Sequence, residues 1–409
     1  MLSVTESAML NLRDILERCP RLSSLTVYHI INADLVSALH PYPHSIQPIQ
    51  KLAVLDLQGL RHPVNYQQQL VLLEHFPSLQ SLTLSPCHDS RFLPLVQQYL
   101  PSLQYLAISV QSYIQGPESR KYESTLSNQR GLRSLYVDDE AGRCYDIDDI
   151  RQYIMNCCDT LESATILVGT LRDDPQPSVH FPQLRQFDCS LTNEYGPPLF
   201  GWWIPKLAPL LKHMELRDST LQRTPKLLQV LYSTSPIKSF TLHAASLNIS
   251  RLVEWLKSHA REAKSSCIEE LVLCMSSNVF TSIPMKNILG ELPYLKRLTL
   301  GKEMGRFEEK EFAHVMGHLV LHCKHLRELN IQTRTHELDF GLMILSAFDT
   351  LERISLPGAD LSTTGAKMLL RFHGLRHLTL YNFHRFAQKD QLNILQRGNP
   401  QLEIIFHRL

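Results

Sequence analysis

Apolar residues in this chain recur in a short pattern, LxxLxL or a close variant, followed by a segment in which they lie three and four residues apart. The clearest copy runs from Leu351 to Leu380, LERISLPGADLSTTGAKMLLRFHGLRHLTL. Alternating apolar residues predict a strand with its leucines on one face. Spacing of three and four predicts an amphipathic helix. Each copy therefore predicts one strand, a turn and one helix that leads to the next strand.

Fifteen copies of the pattern span the chain, 23 to 31 residues apart and about 27 on average. Their first apolar residues are Leu22, Leu52, Leu79, Leu103, Leu132, Leu161, Leu184, Leu211, Ile237, Ile268, Leu295, Leu326, Leu351, Leu375 and Leu402. This period is typical of leucine-rich repeats. We therefore predict an α/β fold, a leucine-rich-repeat solenoid shaped as a horseshoe or arc. Parallel strands are expected on its concave face, with helices and irregular segments on its convex face. We expect residues 1–409 to form a single leucine-rich-repeat domain of about 15 repeats.

Proline marks the predicted helix ends. Seven repeats carry proline two residues before the first apolar residue, namely Pro20, Pro77, Pro101, Pro182, Pro209, Pro293 and Pro400. Proline cannot continue a helix, so each one is expected to turn the chain into the strand. The first helix is predicted over Val4–Arg18. Asp360 or Ser362 is expected to cap the helix Thr363–Phe372.

Cysteine usage and hydropathy bear on the compartment. Cys19, Cys158 and Cys323 stand three residues before a first leucine, where other repeats carry phenylalanine or leucine. We interpret them as buried apolar side chains, which fits a reducing compartment. No stretch approaches 18 apolar residues, and charges near the N-terminus interrupt the apolar core that a signal peptide needs. We expect a cytoplasmic or nuclear protein without a membrane partner.

The middle of the chain departs from the regular pattern. The segment NEYGPPLFGWWIPKLAP places Trp202 and Trp203 between prolines. These tryptophans either cover the convex core in place of a helix or form an exposed convex patch that binds a partner.

Motifs that carry chemistry are scarce. The sequence contains no GxSxG, P-loop, HExxH, GxGxxG or EF-hand loop. His314, His318 and His322 recur every four residues, a spacing at which imidazoles can share zinc. Because Cys323 falls at the buried position, these histidines are better read as a solvated helix flank. We expect no catalysis, no cofactor and no metal site.

The concave face is the better candidate for binding. Its side chains lie two, four and six residues after each first apolar residue. The position four residues on is mostly small, as at Thr26, Thr83, Ala107, Thr165 and Thr299, and predicts an accessible floor. The position two residues on is serine in early repeats but alternates in charge later, through Glu270, Arg297, Glu328, Arg353 and His377. Neighbours in such a column touch across strands, so it is either a salt-bridge ladder or a ligand surface. The partner-binding residues that we predict are His213, Glu215, Arg217, Arg297, Glu328, Arg353, His377 and Tyr381.

Two short motifs carry a family resemblance. CPRLSSLTV begins at Cys19, and a similar CxxLxxLxI begins at Cys323. These motifs and the spacing near 27 resemble the cysteine-containing, RNI-like repeats of F-box/LRR proteins, and the resemblance covers essentially the whole chain. In that family an F-box binds a Skp-type adaptor of a cullin ubiquitin ligase, and the repeats recruit a substrate. This chain shows no recognisable F-box, so we expect either a truncated product, or a protein that has lost its F-box, or another subunit that supplies the adaptor link.

Charge is divided unevenly along the chain. Residues 1–205 carry 14 Lys and Arg against 21 Asp and Glu, and residues 206–409 carry 27 against 19. No basic stripe is interleaved with aromatic residues, so nucleic acid is not an expected partner. We predict a protein-interaction module that recognises substrates for an SCF-type ubiquitin ligase. The alternative is a scaffold or regulatory protein outside ubiquitin ligation.

Overall fold

The computed structural model describes nearly two thirds of the chain. The described residues are 2–4, 19, 21–28, 51–59, 63–111, 131–139, 144–168, 179–190, 204–218, 237–244, 252–254, 256–257, 267–275, 282–301, 309–333, 338–383 and 389–407. They fall into two compact units, Met1–Leu210 and Leu211–Leu409.

The first unit contains eight described strands that pair in parallel in chain order. They are β1 (Leu2–Val4), β2 (Ser24–Tyr28), β3 (Val54–Gln58), β4 (Ser81–Leu84), β5 (Tyr105–Ser109), β6 (Ser134–Asp139), β7 (Ser163–Val168) and β8 (Gln186–Ser190). Strand β1 corrects the sequence analysis, which placed Val4 in the first helix. Val4 instead pairs with Val27 of β2, an apolar register that continues the sheet by one strand.

The second unit repeats this organisation with eight more described parallel strands. They are β9 (His213–Asp218), β10 (Ser239–Ala244), β11 (Glu270–Met275), β12 (Arg297–Gly301), β13 (Glu328–Ile331), β14 (Arg353–Pro357), β15 (His377–Tyr381) and β16 (Glu403–His407). Each of the fifteen predicted repeats thus holds one strand, β2 to β16. Parallel strands, a repeat near 27 residues and helices between strands make the fold an α/β leucine-rich-repeat solenoid.

Helices connect many of the strands. In the described residues they are α1 (Tyr66–His75), α2 (Leu93–Tyr99), α3 (Ile147–Cys157), α4 (Ser282–Gly290), α5 (Glu309–His322), α6 (Leu338–Leu345), α7 (Thr363–Leu369) and α8 (Lys389–Gly398). Of the two caps predicted for α7, Ser362 is the one used: its Oγ accepts from the Gly365 N–H at 3.0 Å. Asp360 belongs instead to a short 3₁₀ turn, Gly358–Asp360.

The turn from helix to strand follows the predicted design. The six of the seven prolines that lie in the described part of the chain, all but Pro20, occupy turn residues between the helical side and the strand. In most repeats the first leucine donates its N–H to the carbonyl three residues earlier, as Leu326 does to Cys323. In the repeat of Leu326 the earlier side chain lies in the core, where Cys323 is fully buried.

Two cysteines depart from this prediction. Cys19 is exposed and Cys158 is half-buried. In the repeat of Leu161 the closing hydrogen bond runs to Cys157, one residue further back, so Cys157 takes the buried position. Burial raises the pKa of both the Cys157 and the Cys323 thiols to about 12. These two thiols therefore stay protonated and unreactive at neutral pH.

Candidate functional site

A column of polar side chains crosses the second unit, on the sheet face opposite its buried leucines. The charged column, as we call it, contains one residue from each strand in direct register: His213, Ser239, Glu270, Arg297, Glu328, Arg353, His377 and Glu403. In β9 to β15 the residues that follow in each strand, such as Leu298 after Arg297, are buried. Alternation along the strands therefore holds the charged column on the uncovered face.

Ion pairs link neighbours in the charged column. Arg297 Nη2 donates to Glu270 Oε2 at 2.6 Å, and Arg353 Nη1 lies 3.5 Å from Glu328 Oε2. His377 Nδ1 lies 2.8 Å from Glu403 Oε2. The predicted ladder of alternating charge is therefore present. The side chains of Arg297 and Arg353 are still 53% and 56% exposed, so each pair contributes about 0–1 kcal/mol to stability.

Glu403 is a member of the charged column that sequence reasoning missed. It follows Leu402 directly, whereas the other members stand two residues after their first apolar residue. The register His377 with Glu403 and Leu378 with Ile404 shows that the last repeat is one residue shorter before its strand. The alternation of Ile404 and Phe406 was the signal that could have placed it.

Three predicted residues lie together on β9. Glu215 Oε1 accepts from Arg217 Nε at 2.7 Å and lies 3.6 Å from His243 Nε2 on the neighbouring strand β10. Burial lowers the pKa of His213, and the positive charges of Arg297 and Lys212 lower it further, while Glu270 opposes them. The pKa of His213 is therefore affected by Glu270, two strands away, and by Arg297, three strands away, with the small Ser239 in between.

Tyr381 places an aromatic group beside the charged column. Its hydroxyl donates to Asn330 Oδ1 at 3.2 Å, and its ring lies 6.1 Å from that of His407. Asn330 belongs to β13 and Tyr381 to β15, so the tyrosine extends over the intervening strand β14. A hydroxyl, an amide, an arginine and a histidine are thus all offered on one face of three adjacent strands.

The same face of the first unit is closed. It carries a buried apolar cluster of Tyr105, Ala107, Tyr136 and Leu167. Thr26, Thr83 and Thr165, predicted to form part of an accessible floor, are 5%, 3% and 4% exposed. These three threonines are buried, so the prediction of an accessible floor was wrong in the first unit. In the second unit, by contrast, Thr299 keeps partial exposure and the accessible floor is present.

Carboxylates complete the closed face of the first unit. Asp138 Oδ2 accepts from Ser109 Oγ at 3.1 Å, and Asp188 Oδ2 accepts from Thr165 Oγ1 at 3.0 Å. Asp138 is 3% and Asp188 is 5% exposed. Buried carboxylates that are held by neighbouring hydroxyls stabilise structure and are not offered to a ligand.

The remaining candidate sites of the sequence analysis are the tryptophan pair and the histidines of α5. Trp202 and Trp203 lie outside the described residues. His314 is exposed, and the rings of His318 and His322 stack at 6.1 Å. In the described part of the chain, no three His, Cys, Asp or Glu side chains are grouped so as to hold a metal ion. No described helix is long and apolar enough to span a membrane.

Comparison with known proteins adds a likeness to solved structures. No family model and no curated protein matches the chain. A solved structure with a similar fold is that of a TLR13–ssRNA13 complex, with a TM-score of 0.40 and 14% sequence identity. The match covers 88% of this chain and 48% of that chain, so this chain spans about half the length of that protein. The class of protein, a leucine-rich-repeat solenoid with one open polar face, follows from the repeats and the sheet.

Proposed function

We propose that this chain is a protein-recognition module whose partner docks on the charged column of the second unit. The observation that carries the proposal is the contrast between the two units. The repeats are alike, yet the strand face is buried in the first unit and half-exposed and charged in the second. The strands pair in parallel in both units, so the contrast does not come from the direction of strand pairing.

The energetics of the charged column favour binding over structural support. Its exposed ion pairs contribute little to folding, so a partner can replace them at small cost. Parallel strands lie about 4.8 Å apart, which sets the spacing of alternating charges that a partner must match. Complementary charges of this kind raise the association rate and select the register of the complex.

Charge reversal tests the docking face. The double variant Arg297→Glu, Arg353→Glu is expected to reduce captured partner at least about tenfold, since it places like charges beside Glu270 and Glu328. Lys286→Glu, Lys367→Glu is the matched control, because both lysines are exposed on helices and the net charge change is the same. Partner capture is quantified by isotope-labelled affinity purification, and the urea midpoint of each variant reports its stability. Equal capture by the two variants would exclude the charged column as the docking face.

The particular role that we propose is substrate recognition in ubiquitin ligation. The support is the resemblance of the repeats to F-box/LRR proteins. The nine cysteines, all free thiols, additionally support the reducing cytoplasm or nucleus in which such ligases act. Because the chain shows no recognisable F-box, the test is co-purification from cells, where another subunit can supply the link: a Skp-type adaptor is expected to co-purify equally before and after the Arg297→Glu, Arg353→Glu change. If no Skp-type adaptor co-purifies with the protein, the ligase role is excluded, and the alternative of a scaffold outside ubiquitin ligation remains.

A further inference from the structure

A second charged row runs along the edge of the second unit where the strands begin. The strand-entry row, as we call it, lies one residue before the charged column and contains Lys212, Lys238, Glu269, Lys296, Arg327, Glu352 and Arg376. Each backbone N–H from Lys238 to Arg376 donates to the carbonyl of the preceding member at 2.8–2.9 Å. These hydrogen bonds hold the seven residues side by side, one from each of the repeats that carry β9 to β15.

The strand-entry row contains more cations than carboxylates. Glu269 accepts from both Lys238 Nζ at 3.1 Å and Lys296 Nζ at 2.8 Å, and the hydrogen bonds from Lys296 and Lys238 lower the pKa of Glu269. Glu352 lies 3.6 Å from Arg327. Lys212 and Arg376, at the two ends, form no ion pair with any described residue. Five cations against two carboxylates leave a net charge of +3.

The cations of the strand-entry row are accessible. The side chains of Lys238, Lys296 and Arg327 are 49%, 48% and 65% exposed, and Lys212 and Arg376 are exposed as well. Cations near helix C-termini are explained by the helix dipole. These five lie on the strands' entry side rather than in a last helical turn, so the dipole does not account for them.

We propose that the strand-entry row binds an acidic, extended segment of a partner protein that crosses the strands. Six steps of about 4.8 Å give the row a length of roughly 29 Å. An extended peptide advances about 3.3 Å per residue, so about nine residues match that length. Acidic side chains of the segment meet Lys212 and Arg376 at the ends and share Lys238, Lys296 and Arg327 with the two glutamates.

A protein segment fits this row better than a nucleic acid does. Glu269 and Glu352 interrupt the cations at two places. A phosphate backbone carries a charge at every nucleotide and meets repulsion at both glutamates. A peptide can place neutral or basic residues opposite the glutamates and acidic residues opposite the cations.

Removal of one carboxylate gives the sharpest test, because the expected change is a gain. Glu269→Gln frees two lysines and is expected to tighten binding of a fluorescein-labelled peptide of ten glutamates about two- to fivefold. Glu254→Gln is the matched control, because it changes the net charge equally at an exposed helical position. Affinities are measured by fluorescence anisotropy in the full chain at low ionic strength, where surface charges are least screened. An equal gain in both variants would overturn the proposal, because only net charge would then matter.

Loss of the terminal cations supplies the opposite change. Lys212→Glu, Arg376→Glu is expected to weaken binding of the same peptide about tenfold or more. Lys286→Glu, Lys367→Glu again controls for net charge, and the urea midpoint of each variant reports that it is folded. A ten-nucleotide oligothymidine that binds more tightly than the peptide, and loses affinity in the same variant, would overturn the proposal in favour of nucleic acid.

The proposal for the strand-entry row and the proposal for the charged column can be rejected independently. Arg297→Glu, Arg353→Glu is expected to change the affinity for the ten-glutamate peptide less than about twofold, since those arginines lie in the charged column. A larger loss in that variant would move the acidic segment onto the charged column and leave the strand-entry row unused.

Discussion

His213 is the residue whose ionisation reports most directly on the charged column. Burial, Arg297 and Lys212 lower its pKa, and Glu270 raises it. A histidine whose folded pKa lies below the unfolded value stabilises the folded state in full above the unfolded pKa of about 6.5. That stabilisation is lost as the pH falls through the folded pKa. His213 is therefore neutral at pH 7, when Arg297 is charged.

Substitution of the two neighbours is expected to move the pKa of His213 in opposite directions. Arg297→Met removes a positive charge and should raise the pKa, whereas Glu270→Gln removes a negative charge and should lower it further. NMR titration of the imidazole, assigned with a His213→Gln variant, measures both shifts. Arg353→Met is the control, because Arg353 lies two strands beyond Arg297. Shifts of the same sign in the Arg297→Met and Glu270→Gln variants would show that His213 does not sense the charged column.

At the scale of elements, a single glycine sets the approach of two helices. A Cβ at Gly341 on α6 would overlap the ring of Phe312 on α5. Phe312 is 1% exposed, so its ring has no solvent into which it can move. Glycine at this position lets the aromatic ring fill the space between neighbouring repeats.

Gly341→Ala is expected to destabilise the protein by about 1–3 kcal/mol because it overpacks that contact. The same change in a Phe312→Leu background should cost less, since the smaller side chain leaves room for the methyl group. Gly317→Ala on α5 is the control. Nothing lies within 4 Å of its added Cβ, so it is expected to stabilise the helix by up to about 1 kcal/mol. Urea unfolding measures all four variants, and additive effects at Gly341 and Phe312 would contradict the contact.

How far the sequence predicts these elements depends on how local the determinant is. The alternation at Leu351 to Leu356 and the proline turns are local, and the structure reproduces them. The buried cysteine depends on the length of one turn, so Cys157 could not be distinguished from Cys158 without the hydrogen bond to Leu161. Strand β1 depends on pairing with β2, and no pattern within three residues reveals such a partner.

At the scale of the whole molecule, the same repeat pattern forms a largely buried strand face in the first unit and an open one in the second. The described strands of the first unit bury most of both faces, with Asp56 and Thr83 at equivalent positions of β3 and β4 at 8% and 3% exposure. The second unit leaves one face open, and Thr299 holds the position that corresponds to Thr83. The repeat pattern predicts which face a side chain occupies but not whether that face is covered, since Thr83 and Thr299 hold the same position of the repeat and differ in exposure.

The pair Thr83 and Thr299 tests this difference with one substitution. Thr83→Glu places a carboxylate in a buried face beside Asp56 and is expected to lower the free energy of unfolding by at least about 2 kcal/mol at pH 7. Thr299→Glu lies between Val272 and Asn330 on the open face and should change it by less than about 0.5 kcal/mol. The control is Thr83→Gln, because a glutamine side chain has nearly the same volume as glutamate but carries no charge. Because a buried carboxyl has a raised pKa, the difference between Thr83→Glu and Thr83→Gln should grow as the pH rises above about 4.3 and shrink below it. Urea unfolding at pH 4 and pH 7 measures the cost of each substitution and how the difference between Thr83→Glu and Thr83→Gln changes with pH. If Thr83→Glu and Thr299→Glu lower the free energy of unfolding equally, the two strand faces are equally accessible in solution. The charged column would then not be distinguished as the open surface of this solenoid.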